Sequence, residues 1–324
     1  MWVAEQFKVE MKFNRQRNTC AGTLTPLSGD LTDSKTFIAP LFDWPKALIT
    51  RAWIFLLSIK FIENWYTALM AYLLKKPTNI RFRNGIRGYL GSNTIYKIVY
   101  YLGRNVSLRP VSTDILEVGI RNYKFRAPIK NVDTVEYVFL NEVFNGGTDY
   151  HGKTVLDVGA YIGDTATYFW NKGASKIICY EPVKEFFYWL GQNVALNGIN
   201  AELYNLGISD KHGEIDIRYS ELNCLVGCRG NRTIRIETLS LSEALQKHGR
   251  VDVCKFVSPG CEQAILNLSD AELLKVPAWF IETTSVKYKA ELSNRFSRAG
   301  FKSARTIKYS TNSGKWCFLS FELS

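Results

Sequence analysis

The sequence lacks the features of a secreted or membrane-spanning protein. Its seven cysteines are odd in number and irregularly spaced, which argues against a disulfide framework and favours the reducing cytoplasm. The first residues show no basic head followed by an apolar stretch, so we expect no signal peptide. The most apolar window, residues 52–62, contains Lys60 and is too short to cross a bilayer. We therefore expect a cytoplasmic protein without a transmembrane segment.

Candidate metal ligands are also scarce. The three histidines, His151, His212 and His248, are far apart in the sequence, and we expect all three to be exposed to solvent. Cys224 and Cys228 have a suggestive spacing, but a metal site would need further ligands. We predict no metal site.

The stretch that carries the most information is residues 154–164. Its first five residues predict a buried parallel strand, because they are apolar on both faces. Asp157 stands at the carboxyl end of that strand, where open α/β sheets place their ligands. Gly159 and Gly163 allow a sharp turn and close approach of the backbone to a ligand. Asp164 then suits a helix N-terminus.

A second acidic residue follows the next predicted strand, residues 176–180. Glu181 comes 24 positions after Asp157, a spacing at which a carboxylate typically holds the hydroxyls of a ribose. The turn itself is not G-x-G-x-x-G, because Ala160 replaces the second glycine. A pyrophosphate needs that close approach, so we favour a nucleoside without one. S-adenosylmethionine (SAM) is the natural candidate cofactor.

Several segments in this order resemble the FkbM family of SAM-dependent methyltransferases, from about Tyr150 to the C-terminus. They are Asp157–Asp164, Tyr180–Pro182, Asn193–Gly198, Asn205–Asp210 and Glu237–Leu241. The resemblance implies a Rossmann-like α/β sheet, mostly parallel with an antiparallel last strand. It implies SAM as cofactor, with its methionine end at Asp157 and the glycine turn, its ribose at Glu181 and its adenine near residues 207–209. The predicted cofactor-binding residues are Asp157, Gly159, Ala160, Tyr161, Gly163, Asp164, Glu181 and Pro182.

The fourth strand departs from the family pattern. FkbM-like enzymes usually read Lys-Ile-Asp-Val-Glu-Gly-Ala-Glu there, whereas this chain has Val257 and Pro259 in place of the first two acids. Transfer of a methyl group to a hydroxyl benefits from a base that accepts the proton. The remaining candidates for catalysis are Lys255, Glu262 and Glu282. Alternatively, Lys255 and Glu262 pair on the surface, and Glu282 caps a loop.

Three functions therefore stay open. The resemblance implies O-methylation of a sugar, a glycan or another hydroxylated small molecule. The altered fourth strand would instead suit a degenerate methyltransferase that binds SAM or a protein partner without turnover. RNA methylation is the second alternative, because residues 1–150 carry 20 lysines and arginines against 12 acids. Against it, the chain lacks the Asn-Pro-Pro-aromatic element of enzymes that methylate base amino groups.

Three regions follow from these patterns. Residues 1–42 are predicted to be a poorly ordered extension. Residues 43–149 are predicted to be a basic cap, with helices from Asp43 and over 65–74, a hairpin over 79–90 and a helix over 134–144. The first two helices suit a cap on the sheet or a dimer face, with a peripheral membrane contact as the alternative. Residues 150–324 are predicted to form the methyltransferase domain.

Overall fold

The computed structural model describes residues 10–11, 43–132, 134–145, 147–220, 223–224, 232–258, 260–283, 285–311 and 314–323. Helices and strands are numbered here in chain order. The elements before residue 150 are β1 (Glu10–Met11), α1 (Asp43–Phe61), α2 (Trp65–Leu74), β2 (Thr78–Arg81), β3 (Arg87–Leu90), α3 (Ser92–Gly103), β4 (Ser107–Pro110), β5 (Ile115–Ile120), β6 (Tyr123–Pro128), a 3-10 turn (Ile129–Asn131) and a π-helix (Val135–Leu140).

The second half of the chain alternates strands and helices. Its strands are β7 (Thr154–Val158), β8 (Lys176–Tyr180), β9 (Ala201–Tyr204), β10 (Gly207–Ser209), β11 (Gly213–Ser220), β12 (Asn223–Cys224), β13 (Arg232–Ser240), β14 (Val253–Phe256), β15 (Ala278–Thr283), β16 (Phe301–Thr311) and β17 (Gly314–Leu323). Its helices are α4 (Asp164–Asn171), α5 (Lys184–Asn197), α6 (Leu241–His248), α7 (Gln263–Leu266), α8 (Asp270–Leu273) and α9 (Val286–Arg298).

Eight of the described strands form the main sheet, in the order β1-β16-β17-β15-β14-β7-β8-β9. The strands from β15 to β9 run parallel, and β17 is antiparallel to both of its neighbours. This order confirms the predicted α/β fold, a Rossmann-like sheet of the class I methyltransferase type. In the sheet, β8 lies on one side of β7, and β14, which comes later in the chain, lies on the other side of β7. The switch point at which such sheets bind ligands therefore lies at the end of β7.

Two hydrophobic cores cover the two faces of this sheet. One core joins the sheet to α4, α5 and the N-terminal region, through residues such as Val155, Phe280 and Phe144. The other joins the opposite face to α6, α7, α8 and α9, through residues such as Leu156 and Phe296. Because side chains alternate along a strand, Asp157 and Val155 point to the same face. The N-terminal region is therefore packed on the face that carries Asp157.

A smaller sheet contains residues 207–209, which were expected near the adenine. The main-sheet strand β9 ends at Tyr204, and Gly207–Ser209 form a separate strand, β10, paired in parallel with β13. Beyond that pairing, β13 is hydrogen-bonded to β11 and β11 to β12. The residues expected to form a loop near an adenine therefore belong to the edge of a second sheet, immediately after the loop that follows β9.

The N-terminal region differs from prediction in two places. The expected helix over 134–144 is a π-helix that ends at Leu140, where the Asn141 N–H donates to the carbonyl of Glu136 at 2.9 Å. Helix α3 and strand β4 were not predicted. The apolar spacing of Ile95, Ile98 and Val99, all buried in α3, carried the signal for that helix.

The two predicted helices and the predicted hairpin of this region are confirmed. The helices α1 and α2 form, and β2 and β3 make the hairpin, with Arg81 and Arg83 exposed and Ile80 and Phe82 buried. No helix in the described part of the chain has the length and apolar content to cross a membrane.

The buried amide of Asn193 connects the N-terminal region to the turn after β7. The Asn193 side chain on α5 donates to the Arg126 carbonyl on β6 at 2.8 Å and to the Ile162 carbonyl at 2.7 Å. It also accepts a hydrogen bond from the Arg126 N–H at 2.6 Å. Because Asn193 is fully buried, these three bonds satisfy backbone groups that have little access to water.

We expect Asn193→Ala to lower the free energy of unfolding by about 2 to 4 kcal/mol, since buried backbone groups lose their partners. Urea denaturation would measure the change. Asn200→Ala is the matched control, because its amide also donates to a backbone carbonyl, that of Ser175, but in an exposed position. The control should cost less than about 1 kcal/mol. An equal loss in both variants would contradict the role of burial.

Candidate functional site

A buried ion pair lies at the centre of the candidate site. Lys255 on β14 is opposite Asp157 on β7 in the sheet register, and its Nζ is 2.8 Å from Asp157 Oδ1. The same ammonium donates to the Gly159 carbonyl at 2.6 Å. The other carboxylate oxygen, Asp157 Oδ2, accepts a hydrogen bond from the Thr165 hydroxyl at 2.6 Å. The pair therefore joins two central strands, the turn after β7 and the start of α4.

The turn after β7 has a backbone shape that needs its glycines. Gly159 and Gly163 have φ values of 75° and 83°, and Tyr161 between them has φ 51°. A Cβ on Gly159 would lie 2.1 Å from the Val257 carbonyl oxygen, so no larger residue fits there. The N–H groups of Gly159 and Ala160 both donate to the last carbonyl of β8, that of Tyr180. The turn is thus packed against the ends of β8 and β14.

Glu181 lies directly beyond β8, next to this turn. Its Oε2 accepts the Tyr161 N–H at 2.9 Å and its Oε1 accepts the Val183 N–H at 2.9 Å. Burial raises the pKa of Glu181 to about 7, although the two backbone donors oppose the rise. Each carboxylate oxygen has a second lone pair, so the group can also accept hydrogen bonds from a ligand. Asn205 donates to the carbonyls of Glu181 and Pro182 and so holds the backbone immediately after β8.

Two buried oxygens beside the turn have no hydrogen-bond partner among the described residues. They are Asp164 Oδ1, at the first position of α4, and Asn131 Oδ1, in the 3-10 turn. The Asn131 amide donates to the Tyr161 hydroxyl, so both oxygens flank the same turn. Burial raises the pKa of Asp164 to about 6, with Asp157 adding to the rise and Lys255 opposing it. Unpaired buried acceptors of this kind suit a ligand that carries donors.

Glu282 extends the row of ionisable groups onto β15. Lys255 is opposite Phe280 in the register, and Glu282 is two residues further along the same face. Burial raises the pKa of Glu282 to about 8, and the nearby Lys255 only partly offsets the effect. Asp157, Lys255 and Glu282 therefore line one face of three adjacent strands at their carboxyl ends.

Glu262 has a different environment from the other candidates. It is fully buried, and its Oε2 accepts the Gly260 N–H at 2.7 Å. The expectation that Lys255 and Glu262 pair on the surface is wrong, because both side chains are buried and Lys255 pairs with Asp157. Glu262 holds the loop after β14, which begins at Val257.

The structure brings most of the predicted site residues together around the end of β7. The expectation of three exposed histidines holds for His151 and His212 and is wrong for His248, whose side chain is 3% exposed. The His248 imidazole is 2.8 Å from the Tyr180 hydroxyl because α6 packs against the end of β8. Cys228 and Pro259 lie outside the described residues.

Three polar residues at the site were not recognised as such from the sequence. Thr165 bonds to Asp157, Asn205 holds the corner after β8, and Asn131 reaches Tyr161. Thr165 and Asn205 lie within or beside the segments that resemble the FkbM family. Asn131 belongs to the N-terminal region, and its sequence neighbours gave no signal for a place beside the turn.

Comparison with known proteins finds likeness at the level of solved structures. No model of a known protein family matches the chain, and no curated protein matches it. The ribosomal protein L11 methylase of Lactobacillus delbrueckii subsp. bulgaricus is 15% identical, over 56% of this chain and 76% of that chain, with a TM-score of 0.36. Magnesium protoporphyrin IX methyltransferase of Synechocystis, with bound SAM, is 13% identical over 59% and 78%, with a TM-score of 0.37.

A third solved structure is TrmK of M. capricolum in complex with S-adenosyl-homocysteine. It is 12% identical, over 56% of this chain and 66% of that chain, with a TM-score of 0.37. Likeness at this level does not define a substrate. The strand order of the main sheet itself shows the fold.

The raised pKa of Glu282 predicts a pH-dependent contribution to stability. The carboxyl keeps its proton up to about pH 8 in the folded protein, whereas the reference pKa is 4.5. Between these values the unfolded chain binds fewer protons, so the free energy of unfolding falls as pH rises. We expect Glu282→Gln, which resembles the protonated acid, to reduce this fall by on the order of a few kcal/mol between pH 5 and 8.

Chemical denaturation at several pH values would measure the effect as the difference between wild type and variant. Glu237→Gln, a change at an exposed acid, is the control and should leave the slope unchanged. A slope in Glu282→Gln equal to that of the wild type would mean that Glu282 ionises normally in the folded protein.

Proposed function

We propose that the protein is a SAM-dependent methyltransferase of the FkbM type that methylates a hydroxyl of a sugar, a glycan or a similar small molecule. The observation that carries the proposal is the arrangement at the end of β7. There the left-handed turn, the buried carboxyl of Glu181 and the buried acids Asp157 and Asp164 meet at the switch point of the sheet. This is where a Rossmann-like sheet binds a nucleoside.

The residues at this point fit SAM by their chemistry. Glu181 is a carboxylate fixed at the end of the second strand of the domain, the place for a ribose diol. The unpaired Asp164 Oδ1 and Asn131 Oδ1 are acceptors, which suits the ammonium of a methionine moiety. Four buried acids, counting Glu282, surround one buried lysine. A cation is therefore electrostatically favoured at the site, and SAM is cationic at its sulfur.

Different residues of the chain would have different roles in the reaction. Bound SAM supplies an electrophilic methyl group. Glu282, on the next strand but one from β7, would accept the proton that the acceptor hydroxyl loses, and its pKa of about 8 is near the value that suits a general base. Lys255 would hold Asp157 and the Gly159 carbonyl in place rather than touch the acceptor. Glu262 would fix the loop after β14.

One observation favours the alternative of a degenerate methyltransferase. Val257, immediately after β14, cannot accept a proton, and the Lys255 ammonium and one carboxylate oxygen of Glu262 are engaged in contacts within the protein. In that case the fold binds SAM and does not turn it over. RNA as the acceptor is the second alternative, which strong salt-sensitive RNA binding would support.

Titration calorimetry with SAM tests the cofactor assignment. We expect Glu181→Gln to weaken SAM binding by at least about tenfold, because a charged hydrogen-bond acceptor is lost. Glu202→Gln removes an acid from the adjacent strand β9, where the side chain is 40% exposed, and should leave the affinity unchanged. The Tm of each variant would confirm that it is folded.

The outcomes separate the proposal from the degenerate methyltransferase. No SAM binding by the wild-type protein, or equal binding by Glu181→Gln, would contradict the proposal. Binding without methyl transfer to any of a panel of sugars and glycans would favour the degenerate methyltransferase. Transfer abolished by Glu282→Asn with SAM affinity retained would support the base assigned here.

A comparison of SAM with S-adenosylhomocysteine tests the electrostatic part of the proposal. The pKa values of Asp164, Glu181 and Glu282, raised to about 6, 7 and 8, mean that these groups ionise between pH 6 and 8.5. A positive sulfur is attracted more strongly as they do so. We expect the preference for SAM over S-adenosylhomocysteine, which lacks that charge, to increase by about tenfold over this range. A constant preference would show that the carboxyls do not face the sulfur.

A further inference from the structure

The outward faces of α1 and α2 are apolar, the reverse of the usual pattern for surface helices. Over residues 52–61 of α1 the exposed positions recur at helical spacing, and α2 repeats the pattern. The large exposed apolar residues of this two-helix face are Phe55, Leu56, Ile59, Met70, Leu73 and Leu74. The inward positions, such as Ile54, Ala68 and Ala71, are buried in the core. The outer face therefore presents apolar side chains that the fold does not need for its own packing.

The two helices present this face together. The Phe55 ring on α1 meets the Trp65 ring on α2 edge to face, with centroids 6.0 Å apart. Leu56 on α1 is 63% exposed, and Leu73 on α2 is 67% exposed. The exposed apolar residues of the two helices therefore form a group, whereas most protein surfaces expose such residues singly.

Basic residues border the two-helix face. Residues 43–90 contain eight lysines and arginines against two acids. Lys60 is exposed at the end of α1, and Lys75 and Lys76 are exposed immediately after α2. The hairpin adds Arg83, whose guanidinium donates to the Lys60 carbonyl at 3.1 Å. The single acid between residues 52 and 90, Glu63, is 3.9 Å from Arg81.

We propose that the two-helix face attaches the protein to an anionic lipid surface, with its leucines and Phe55 among the acyl chains and Lys60, Lys75 and Lys76 at the headgroups. Helices that lie in a membrane interface combine an apolar face with lysine and arginine at its border. Each lysine or arginine near an anionic surface adds to the attraction. The attachment is peripheral, through one face of each helix.

Charge distinguishes this partner from a second copy of the chain. In a two-fold dimer the same patch meets itself, so the lysines of one copy would approach those of the other. Within residues 43–90 the excess of basic residues would then oppose association. An anionic lipid surface instead offers the opposite charge together with an apolar layer. The proposal is independent of the reaction proposed above.

Co-sedimentation of the full-length protein with lipid vesicles tests the proposal. Vesicles of phosphatidylcholine with phosphatidylserine should bind the wild type, and vesicles of phosphatidylcholine alone should bind it much less. The double variant Leu56→Gln/Leu73→Gln should lose at least about tenfold in apparent affinity. The double variant Lys60→Gln/Lys76→Gln should lose about fivefold for each lysine, and added salt should reduce binding of the wild type.

Matched control variants carry the same changes elsewhere on the surface. Leu274→Gln/Val286→Gln replaces two exposed apolar residues of the second half of the chain, and Lys275→Gln/Lys302→Gln replaces two exposed lysines there. Both should bind the mixed vesicles as the wild type does. Because all eight residues are exposed, none of the variants should lose its fold.

Three results would overturn the proposal. One is no binding to the mixed vesicles. Another is binding that Leu56→Gln/Leu73→Gln leaves unchanged relative to its control. The third is a lipid-free dimer, seen by sedimentation velocity, that the same leucine changes dissociate while vesicle binding is absent. That result would assign the face to a second copy of the chain.

Discussion

The ion pair between Asp157 and Lys255 is the interaction on which the candidate site depends. It is buried on both sides, so neither charge has water to replace its partner, and loss of one would leave the other uncompensated. The lysine also donates to the Gly159 carbonyl, and the aspartate accepts from Thr165. This pair of charges therefore links two strands, the turn and the start of α4.

The remaining acids of the site are explained by that pair. One lysine is paired with Asp157, so no further cation among the described residues balances Asp164 or Glu282 by a direct contact. Burial then favours their protonated forms, and their pKa values rise to about 6 and about 8. These carboxyls can lose their protons and become negatively charged when a cationic ligand binds. Raised pKa values at such a cluster are typical of functional sites.

The sequence predicted the strands β7 and β8 because their signals are local. The apolar runs before Asp157 and before Glu181 have the length and composition of buried strands, and the strands lie where those runs are. The surroundings of His248 and Asn131 could not be predicted. His248 is buried because α6 packs against the end of β8, and Asn131 reaches Tyr161 because the N-terminal region covers that face of the sheet. Both placements depend on tertiary packing that no local pattern encodes.

The contact between the turn after β7 and the end of β14 does not need an acidic side chain at position 257. The close contact there joins the backbone of Gly159 to the carbonyl of Val257, and the Val257 N–H continues the ladder by donating to Val158 at 3.0 Å. These contacts use backbone atoms, so they require a glycine at 159 and no acid at 257. The shape of the turn therefore does not depend on which side chain stands at position 257. In the proposed reaction the base would come from a neighbouring strand, and β15 carries Glu282 on the same face as Asp157 and Lys255.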